Sequence, residues 1–245
     1  MKNTKNIEIS VITVCYNAEK TIEKTIESVI NQNCESCEYI IIDGGSTDGT
    51  LNIINKYIDD INIVISEKDN GIAHAFNKGI LNSSGSYINF LNADDYYEEN
   101  VLNNMLDIIE SGTMLAWGNT YTLNVNERKS HKKHHQKSIC TSFPFSQCSL
   151  FYNKKYFEQF GIFNSQYTIA MDIDLLFRGF FKVKKQEFEF YISTQREGGV
   201  SDKYRLKGYI QYFNIAKKEC GYLKSAYGFL YKLLSFVAYI LKIRH

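Results

Sequence analysis

The chain has 245 residues, 44% apolar and 22% charged, with one Pro and 15 Gly. That is enough apolar material for one large domain and an appendage, and it excludes disordered, collagenous and low-complexity chains. The 28 Lys and Arg against 27 Asp and Glu leave a net charge of +1, which argues against a nucleic-acid binder. The balance is uneven: residues 203–245 hold nine basic groups and one acid, so residues 1–202 are net acidic. The body therefore suits a partner that needs carboxylates, and the tail an anionic one.

From Met1 the chain runs into a short apolar stretch with no small-residue cleavage site, so it is expected to stay in the cytosol, with its six Cys as free thiols. Cys34-x-x-Cys37 has no second C-x-x-C to complete a zinc site. Residues 7–118 alternate β-rich runs with helical patterns, predicting βαβ units and a mostly parallel sheet. Strands are expected at Ile7–Val14, Tyr39–Ile42, Ile61–Ser66 and Tyr87–Leu91. Helices are expected at the Ile22, Ile26, Val29, Ile30 periodicity, over roughly 48–58, and over Ile72–Leu81. The strands read as nearly all apolar, as in a sheet covered by helices on both faces. Residues 119–145 form a polar loop or hairpin excursion, with His131, His134 and His135 in a solvated basic run rather than a metal clamp. Then come regular structure at Gln147–Tyr152, helices near 153–160 and 170–182, a strand near 187–192, and a helical remainder from Tyr204.

Ligands of open parallel sheets bind outside the carboxyl ends of the strands. Here those ends carry Thr13 to Asn17, Asp43 to Thr50, Glu67 to Gly71, and Asn92 to Asp95. The adjacent acids Asp94 and Asp95 would repel one another unless a cation or a hydrogen-bond network holds them. Mg²⁺ or Mn²⁺ on one or two carboxylates, with positions left for phosphate oxygens, is the simplest answer. The structural alternative makes one of them the N-cap of a helix opening at Glu98-Glu99. In the Gly44 to Thr50 turn, Ser46, Thr47 or Asp48 suits the N-cap of the next helix. Asp43 has no capping role at that distance and is free to accept from a nucleobase imide or a ribose hydroxyl. No phosphate-loop Lys follows the glycines, and no G-x-G-x-x-G is present.

Ile9-Ser-Val-Ile-Thr-Val-Cys-Tyr-Asn17, Ile42-Asp-Gly-Gly-Ser-Thr-Asp-Gly-Thr50, Ser66-Glu-Lys-Asp-Asn-Gly71 with Phe76-Asn-Lys-Gly79, and Phe90-Leu-Asn-Ala-Asp-Asp95 follow one another in the chain. This series resembles the inverting family-two glycosyltransferases of GT-A fold, in particular those of bacterial surface-polysaccharide assembly, over roughly residues 7–200. The resemblance implies a nucleotide-sugar donor, most often of uridine, held by Thr13, Tyr16, Asn17, Asp43, Asp69 and Asn70. Asp94 would meet the ribose or the metal, and Asp95 would hold a divalent metal on the diphosphate. Ile169-Ala-Met-Asp172-Ile-Asp174-Leu-Leu-Phe-Arg178 is similar to the segment that supplies the catalytic base, a role mapped onto Asp172. An inverting transfer needs one such group, to take the acceptor hydroxyl's proton as that oxygen attacks the anomeric carbon. Asp172 and Asp174 point about 200° apart on a helix and do not share a face; Asp174 suits an ion pair with Arg178. Gln195 to Ser201 resembles a late loop of the family, with Arg196 as a counter-charge to the diphosphate. His74, Ser146 and Asn119 depart from the family's usual Asp, His and Asp.

The expected organisation is a catalytic domain at 1–202, with a donor half at about 7–118 and an acceptor half at about 119–202, followed by a basic amphipathic tail at 203–245. In the tail, Lys224, Gly228, Lys232, Ser235, Tyr239 and Lys242 share one helical stripe; Leu230, Leu233, Leu234, Val237, Ile240 and Leu241 lie opposite. With Lys232 in its middle, the tail suits the cytoplasmic face of the membrane better than a span. The alternative packs the apolar face on the catalytic domain or on a second copy, as a homodimer. A saccharide acceptor, lipid-linked, follows from membrane attachment. The competing functional readings are a non-catalytic membrane-associated scaffold that keeps the fold, and a nucleotidyltransferase making activated sugars.

Overall fold

The computed structural model describes residues 7–124, 126–133, 139–141 and 145–243, with side chains placed as far as residue 238 in the last helix. His134 and His135, and the side chains of Tyr239, Ile240, Leu241 and Lys242, lie outside the described residues. The first half runs β1 (Ile9–Cys15), α1 (Ile22–Ile30), β2 (Cys37–Asp43), α2 (Thr50–Lys56), a 3-10 turn (Ile58–Asp60), β3 (Ile63–Ser66), α3 (Ile72–Leu81) and β4 (Tyr87–Phe90). β5 (Tyr96–Tyr97), α4 (Val101–Ile108), β6 (Leu115–Leu123), β7 (Lys129–Lys132), a 3-10 turn (Gln147–Ser149) and β8 (Leu150–Asn153) follow. The chain ends with α5 (Lys154–Phe160), α6 (Met171–Gly179), β9 (Lys185–Arg196), α7 (Val200–Lys203), α8 (Arg205–Cys220) and α9 (Tyr222–Ile243).

One mixed sheet has the order β3-β2-β1-β4-β8-β6-β9-β5, with β7 also paired to β6. The first four positions are parallel, while β8 runs antiparallel to both β4 and β6. Alternation persists inside the apolar strands and feeds two cores. Ile12, Val14, Ile40, Ile42, Ile88 and Phe90 face α3, α5, α6 and α8. Ile9, Val11, Tyr39 and Ile41 face α1, α2 and α4. Each fully covered Ile or Phe side chain contributes about 1.5–3 kcal/mol, so the two layers together hold the strand ends in place.

Caps come from distant segments. Asn100, the N-cap of α4, makes no side-chain cap bond. Gln32, just past α1, instead accepts from the N–H groups of Val101 (2.8 Å) and Leu102 (3.3 Å). Neither Asp94 nor Asp95 caps a helix, because β5 and a turn intervene before α4. The excursion after residue 118 is a hairpin of β6 and β7, so residues 129–132 of the basic run are a paired strand and not a solvated loop.

The thiol expectation is corrected. Cys34 and Cys37 flank the tight turn between α1 and β2, Cα atoms 5.3 Å apart, and are disulfide-bonded. Cys140 and Cys220, 5.6 Å apart at Cα, are bonded too. There α8 meets the 139–141 segment, and Tyr212 donates its hydroxyl to the Ile139 carbonyl. Cys15 and Cys148 are free and buried.

No break in packing falls at residue 202, since Tyr212, Ile215 and Ala216 of α8 belong to the same core as Phe177 and Phe180. The last helix does not pack the apolar stripe of the tail on the body, as the alternative reading had it. Ser225, Gly228 and Lys232 face the body: Ser225 is wholly covered, and a Cβ on Gly228 would overlap the Thr141 backbone. Lys232 lies over the Tyr212 and Tyr209 rings, 4.3 and 5.5 Å from their centroids. Tyr222, Leu223, Tyr227, Leu230, Tyr231, Leu234 and Val237 face outward. Among the described residues no helix is long and apolar enough to cross a membrane.

Candidate functional site

The parallel register sets Cys15, Asp43 and Ser66 side by side at the carboxyl ends of β1, β2 and β3. Asp43 is completely covered. Its carboxylate accepts from the N–H groups of Gly45 and Ser46 (3.1 Å each) and from the Ser66 hydroxyl (2.7 Å). Burial pushes its pKa up, but the bonds from Ser46 and Ser66 outweigh this and hold the carboxyl below its ordinary value. Asp43 caps no helix, since α2 opens at Thr50 behind Gly49, but its carboxylate is engaged: it knots the turn on which the site is built. Gly44 is required there, because a Cβ would sit 2.5 Å from the Asp69 carboxylate. That carboxylate also accepts from the Gly71 N–H at 2.8 Å.

Asn17, in a left-handed conformation, accepts from the Thr47 N–H at 2.8 Å, while its own N–H donates to Ser46 Oγ at 2.8 Å. This stitches the β1 end to the turn after β2. Asp48 accepts from the Thr50 N–H at 3.0 Å and tightens the start of α2. Tyr16 is 63% exposed beside this turn, and Asn70 is exposed, its N–H on His74 Nδ1 at 3.4 Å. Thr13 departs from expectation: it is wholly buried and its hydroxyl takes the Tyr39 phenol at 3.1 Å, which places it within the sheet and not on the open edge.

Asp94 and Asp95 follow β4. Asp94 is half-buried and Asp95 covered. Asp95 Oδ1 accepts from the Arg196 N–H (3.0 Å) and Oδ2 from Asn92 Nδ2 (3.1 Å), while Thr25 of α1 donates to its carbonyl (2.7 Å). Burial raises both carboxyls above the ordinary range, and for Asp95 the neighbouring Asp94 charge adds to it. Two crowded, partly desolvated carboxylates favour a cation. Among the described residues no group of three His, Cys, Asp or Glu side chains forms a metal cage. Asp94 and Asp95 offer carboxylate oxygens of the kind Mg²⁺ or Mn²⁺ takes, and such an ion would draw its remaining ligands from substrate phosphate and water.

Arg196 brings its backbone to Asp95, but its guanidinium pairs with Glu127 at 2.6 Å, and its Nε is buried without a partner. Its charge still reaches Asp94 and lowers that group's pKa against the effect of burial.

Asp172 occupies the first turn of α6, where it accepts from the Ile173 N–H at 2.8 Å. Among the described residues it makes no hydrogen bond to the strand-end cluster and no ion pair. Burial without a cation pushes its pKa up to about 6, the direction that suits a proton acceptor working near neutrality. Asp174 faces away and pairs with Arg178 at 3.2 Å, while Arg178 also donates to the carbonyls of Phe160 and Ile162.

Sequence reasoning passed over Ser66, Asn92 and Lys132, and gave Lys232 only a place on the tail's polar stripe. The first two were visible only as neighbours of motif acids. Lys132 was placed in the basic run, yet it reaches inward to Ser146 Oγ at 3.3 Å. Ser146 in turn donates to Gln195 at 2.8 Å, one residue from the Arg196 N–H on Asp95.

Residues 10–184 match Glycosyl transferase family 2. The chain is 40% identical over 112 residues to a teichuronic acid biosynthesis glycosyltransferase, TuaG, of Bacillus subtilis, a match covering 44% of each chain. It is 28% identical over 189 residues to a PGL/p-HBAD biosynthesis glycosyltransferase of Mycobacterium bovis, covering 70% of this chain and 69% of that one. The matched segment thus spans less than half the length of the Bacillus relative. Among solved structures, S. aureus TarS with UDP-GlcNAc superposes with a TM-score of 0.72 at 19% identity, over 94% of this chain and 73% of that one. A mannosyltransferase of Pyrobaculum calidifontis with GDP-Man and Mn²⁺ gives 0.70 at 14% identity, over 96% and 76%. Motif order, sheet topology and these likenesses agree that the chain belongs to glycosyl transferase family 2 and has the GT-A fold.

Proposed function

We propose that this chain transfers a sugar from a nucleotide-sugar donor, a UDP-sugar, to a lipid-linked saccharide acceptor with inversion at the anomeric carbon. One observation carries the reading: while the strand-end acids are knotted into turns, Asp172 stands half-buried, with no cation paired to it among the described residues and with its pKa pushed up to about 6 by burial. Such a carboxylate takes the proton of the acceptor hydroxyl as its oxygen attacks, while the nucleotide diphosphate departs from the opposite face. Tyr16, Asn70 and the turn knotted by Asp43 and Asn17 bind the nucleotide end of the donor. Asp94 and Asp95 would hold the divalent ion, whose chemistry is to neutralise charge on the leaving diphosphate. The UDP-GlcNAc held by TarS and the GDP-Man and Mn²⁺ held by the mannosyltransferase support a donor and metal of this class.

The outward face of α9 supports attachment to the cytoplasmic face of a membrane. Leu223, Leu230, Leu234 and Val237, with Tyr227 and Tyr231, form an exposed apolar and aromatic stripe, and Lys217, Lys218 and Lys224 lie exposed nearby. Apolar residues enter the headgroup boundary, and each basic residue near an anionic leaflet adds about 1 kcal/mol. Flotation with anionic vesicles checks this: Leu230→Asp with Leu234→Asp is expected to release the protein while leaving nucleotide binding unchanged.

The decisive experiment is a panel of nucleotide sugars with and without Mn²⁺, scored by thermal shift and by nucleoside diphosphate release. One donor is expected to stabilise and turn over in a metal-dependent way, and the product to carry the inverted anomer. Uniform silence across the panel would support the scaffold reading. Release of pyrophosphate from a nucleoside triphosphate would support the nucleotidyltransferase.

A further inference from the structure

The acids assigned to the metal sit on a segment with little regular structure of its own. Asp94 and Asp95 lie between β4 and β5, and β5 is only 2 residues long. One flank of the segment is fixed by β9, through the β5 pairing and the Arg196 N–H on Asp95. The other flank lies along α1 and is fixed by the side chains of Thr25, Ser28 and Gln32.

These residues recur at i, i+3 and i+7, which places them on one helix face. Thr25 is wholly covered and donates to the Asp95 carbonyl at 2.7 Å. Ser28 Oγ accepts from the Tyr97 N–H at 3.1 Å and donates to the Thr25 carbonyl at 2.8 Å. Gln32, just past the helix end, donates to the Glu98 carbonyl at 2.8 Å and accepts from the Val101 N–H at 2.8 Å. Residues 95–101 thus run beside α1, bonded to it at every turn. A helical Thr commonly bonds back to a carbonyl of its own helix; Thr25 gives its hydroxyl to the segment of the acids. The apolar contacts of α1 come from other positions, Ile22, Ile26 and Val29.

The start of α1 is bonded to the other half of the donor site. The Ala18 N–H donates to Thr50 Oγ1 at 2.8 Å, and Glu19 accepts from the Gly49 N–H at 2.8 Å. Gly49 and Thr50 end the turn that Asp43 and Asn17 knot. One helix therefore meets the turn assigned to the nucleotide at its start and the acids assigned to the metal along its flank.

We propose that α1 is a gauge that sets the separation of the nucleotide turn from the metal carboxylates, with Thr25 as its chief positioning residue. The inference rests on the assignment of Asp94 and Asp95 to a divalent ion on the donor's diphosphate. UDP spans both halves, so it gains affinity from Mn²⁺ in full only where the spacing is already set. Loss of the Thr25 hydroxyl leaves the nucleotide turn intact and frees the Asp95 backbone. Groups that orient metal ligands are worth about 10–100-fold in metal affinity.

Calorimetry of UDP with and without Mn²⁺ tests this on the full chain and on Thr25→Val, Thr25→Ser and Ser28→Ala. In Thr25→Val the tightening of UDP by Mn²⁺ is expected to shrink about tenfold, with metal-free UDP affinity held. Thr25→Ser keeps the hydroxyl and is expected to restore most of the loss. Ser28→Ala is expected to lose about threefold, and decides by the same criterion should Thr25→Val fail to fold. In metal-free protein, amide exchange is expected to quicken at residues 95–98 and not at 46–50. Mn²⁺ that tightens UDP equally in wild type and variants, or UDP weakened equally with and without metal, overturns the gauge and leaves the metal assignment standing. Wild-type protein that binds UDP with no help from Mn²⁺ overturns the metal assignment and the gauge with it, and one that binds no UDP at all defeats the donor reading on which both rest.

Discussion

The donor edge and the start of α6 both place aspartates at the ends of regular structure, and they treat them in opposite ways. At the edge, Asp43 collects two N–H bonds and a serine hydroxyl and is held below its ordinary pKa even though it is covered. At α6, Asp172 has one N–H from its own turn, no cation, and a pKa near 6. The same side chain is a structural strut where donors outnumber the cost of desolvation, and has the raised pKa that the proposed proton acceptor needs where they do not.

The sharpest way to break this contrast is Asp172→Asn, which keeps shape and removes basicity. The expected result is a fall in kcat of about 10³, with KM for the donor and UDP affinity by calorimetry little changed. Retained activity would return Asp172 to a structural role. Asp43→Ala tests the other side: two buried N–H groups and Ser66 lose their acceptor, at about 1–3 kcal/mol each. An unfolding free energy from urea titration lower by about 3 kcal/mol in all is expected, with donor binding lost only as the turn loosens.

The pH dependence separates the two as well. Protonation of Asp172 below about 6 should make kcat fall about tenfold per pH unit on the acid side. The sign for stability is opposite to that of a salt-bridged acid. Because folding raises the pKa of Asp172 from 3.8 to about 6, its favourable contribution is complete below the unfolded value and is lost as pH rises through the folded one. Asp172→Asn is therefore expected to melt a few degrees higher than wild type at about pH 8 and no higher at about pH 3. Asp43, with its depressed pKa, stabilises the fold above the ordinary carboxylate range and loses that contribution as the solution is acidified.

Much of the donor half was legible. The βαβ rhythm located β1 to β4 and α3 to within a few residues, since each strand is mostly apolar and each helix repeats its apolar positions at helical spacing. The motif acids were legible as candidates, but their states were not. Nothing local to Asp43 announces Ser66, which arrives from the neighbouring strand. Nothing near Asn100 announces that Gln32 caps α4. The side of α9 that meets the body was not legible for a similar reason: an amphipathic pattern defines two faces without saying which one packs, and here Ser225, Gly228 and Lys232 fit the surface of α8 and the Thr141 backbone.

Apolar periodicity and the order of strand-end motifs, both properties of neighbouring residues, were sufficient by themselves to determine the sheet class, the family and the short list of acids. Tertiary structure alone decided which acids are struts, which one is left without a cation, which cysteines meet, and which face of α9 is turned outward. Solvation, the field of distant charges and close backbone approach depend on what the rest of the chain brings within a few ångströms, and the linear pattern does not carry that information.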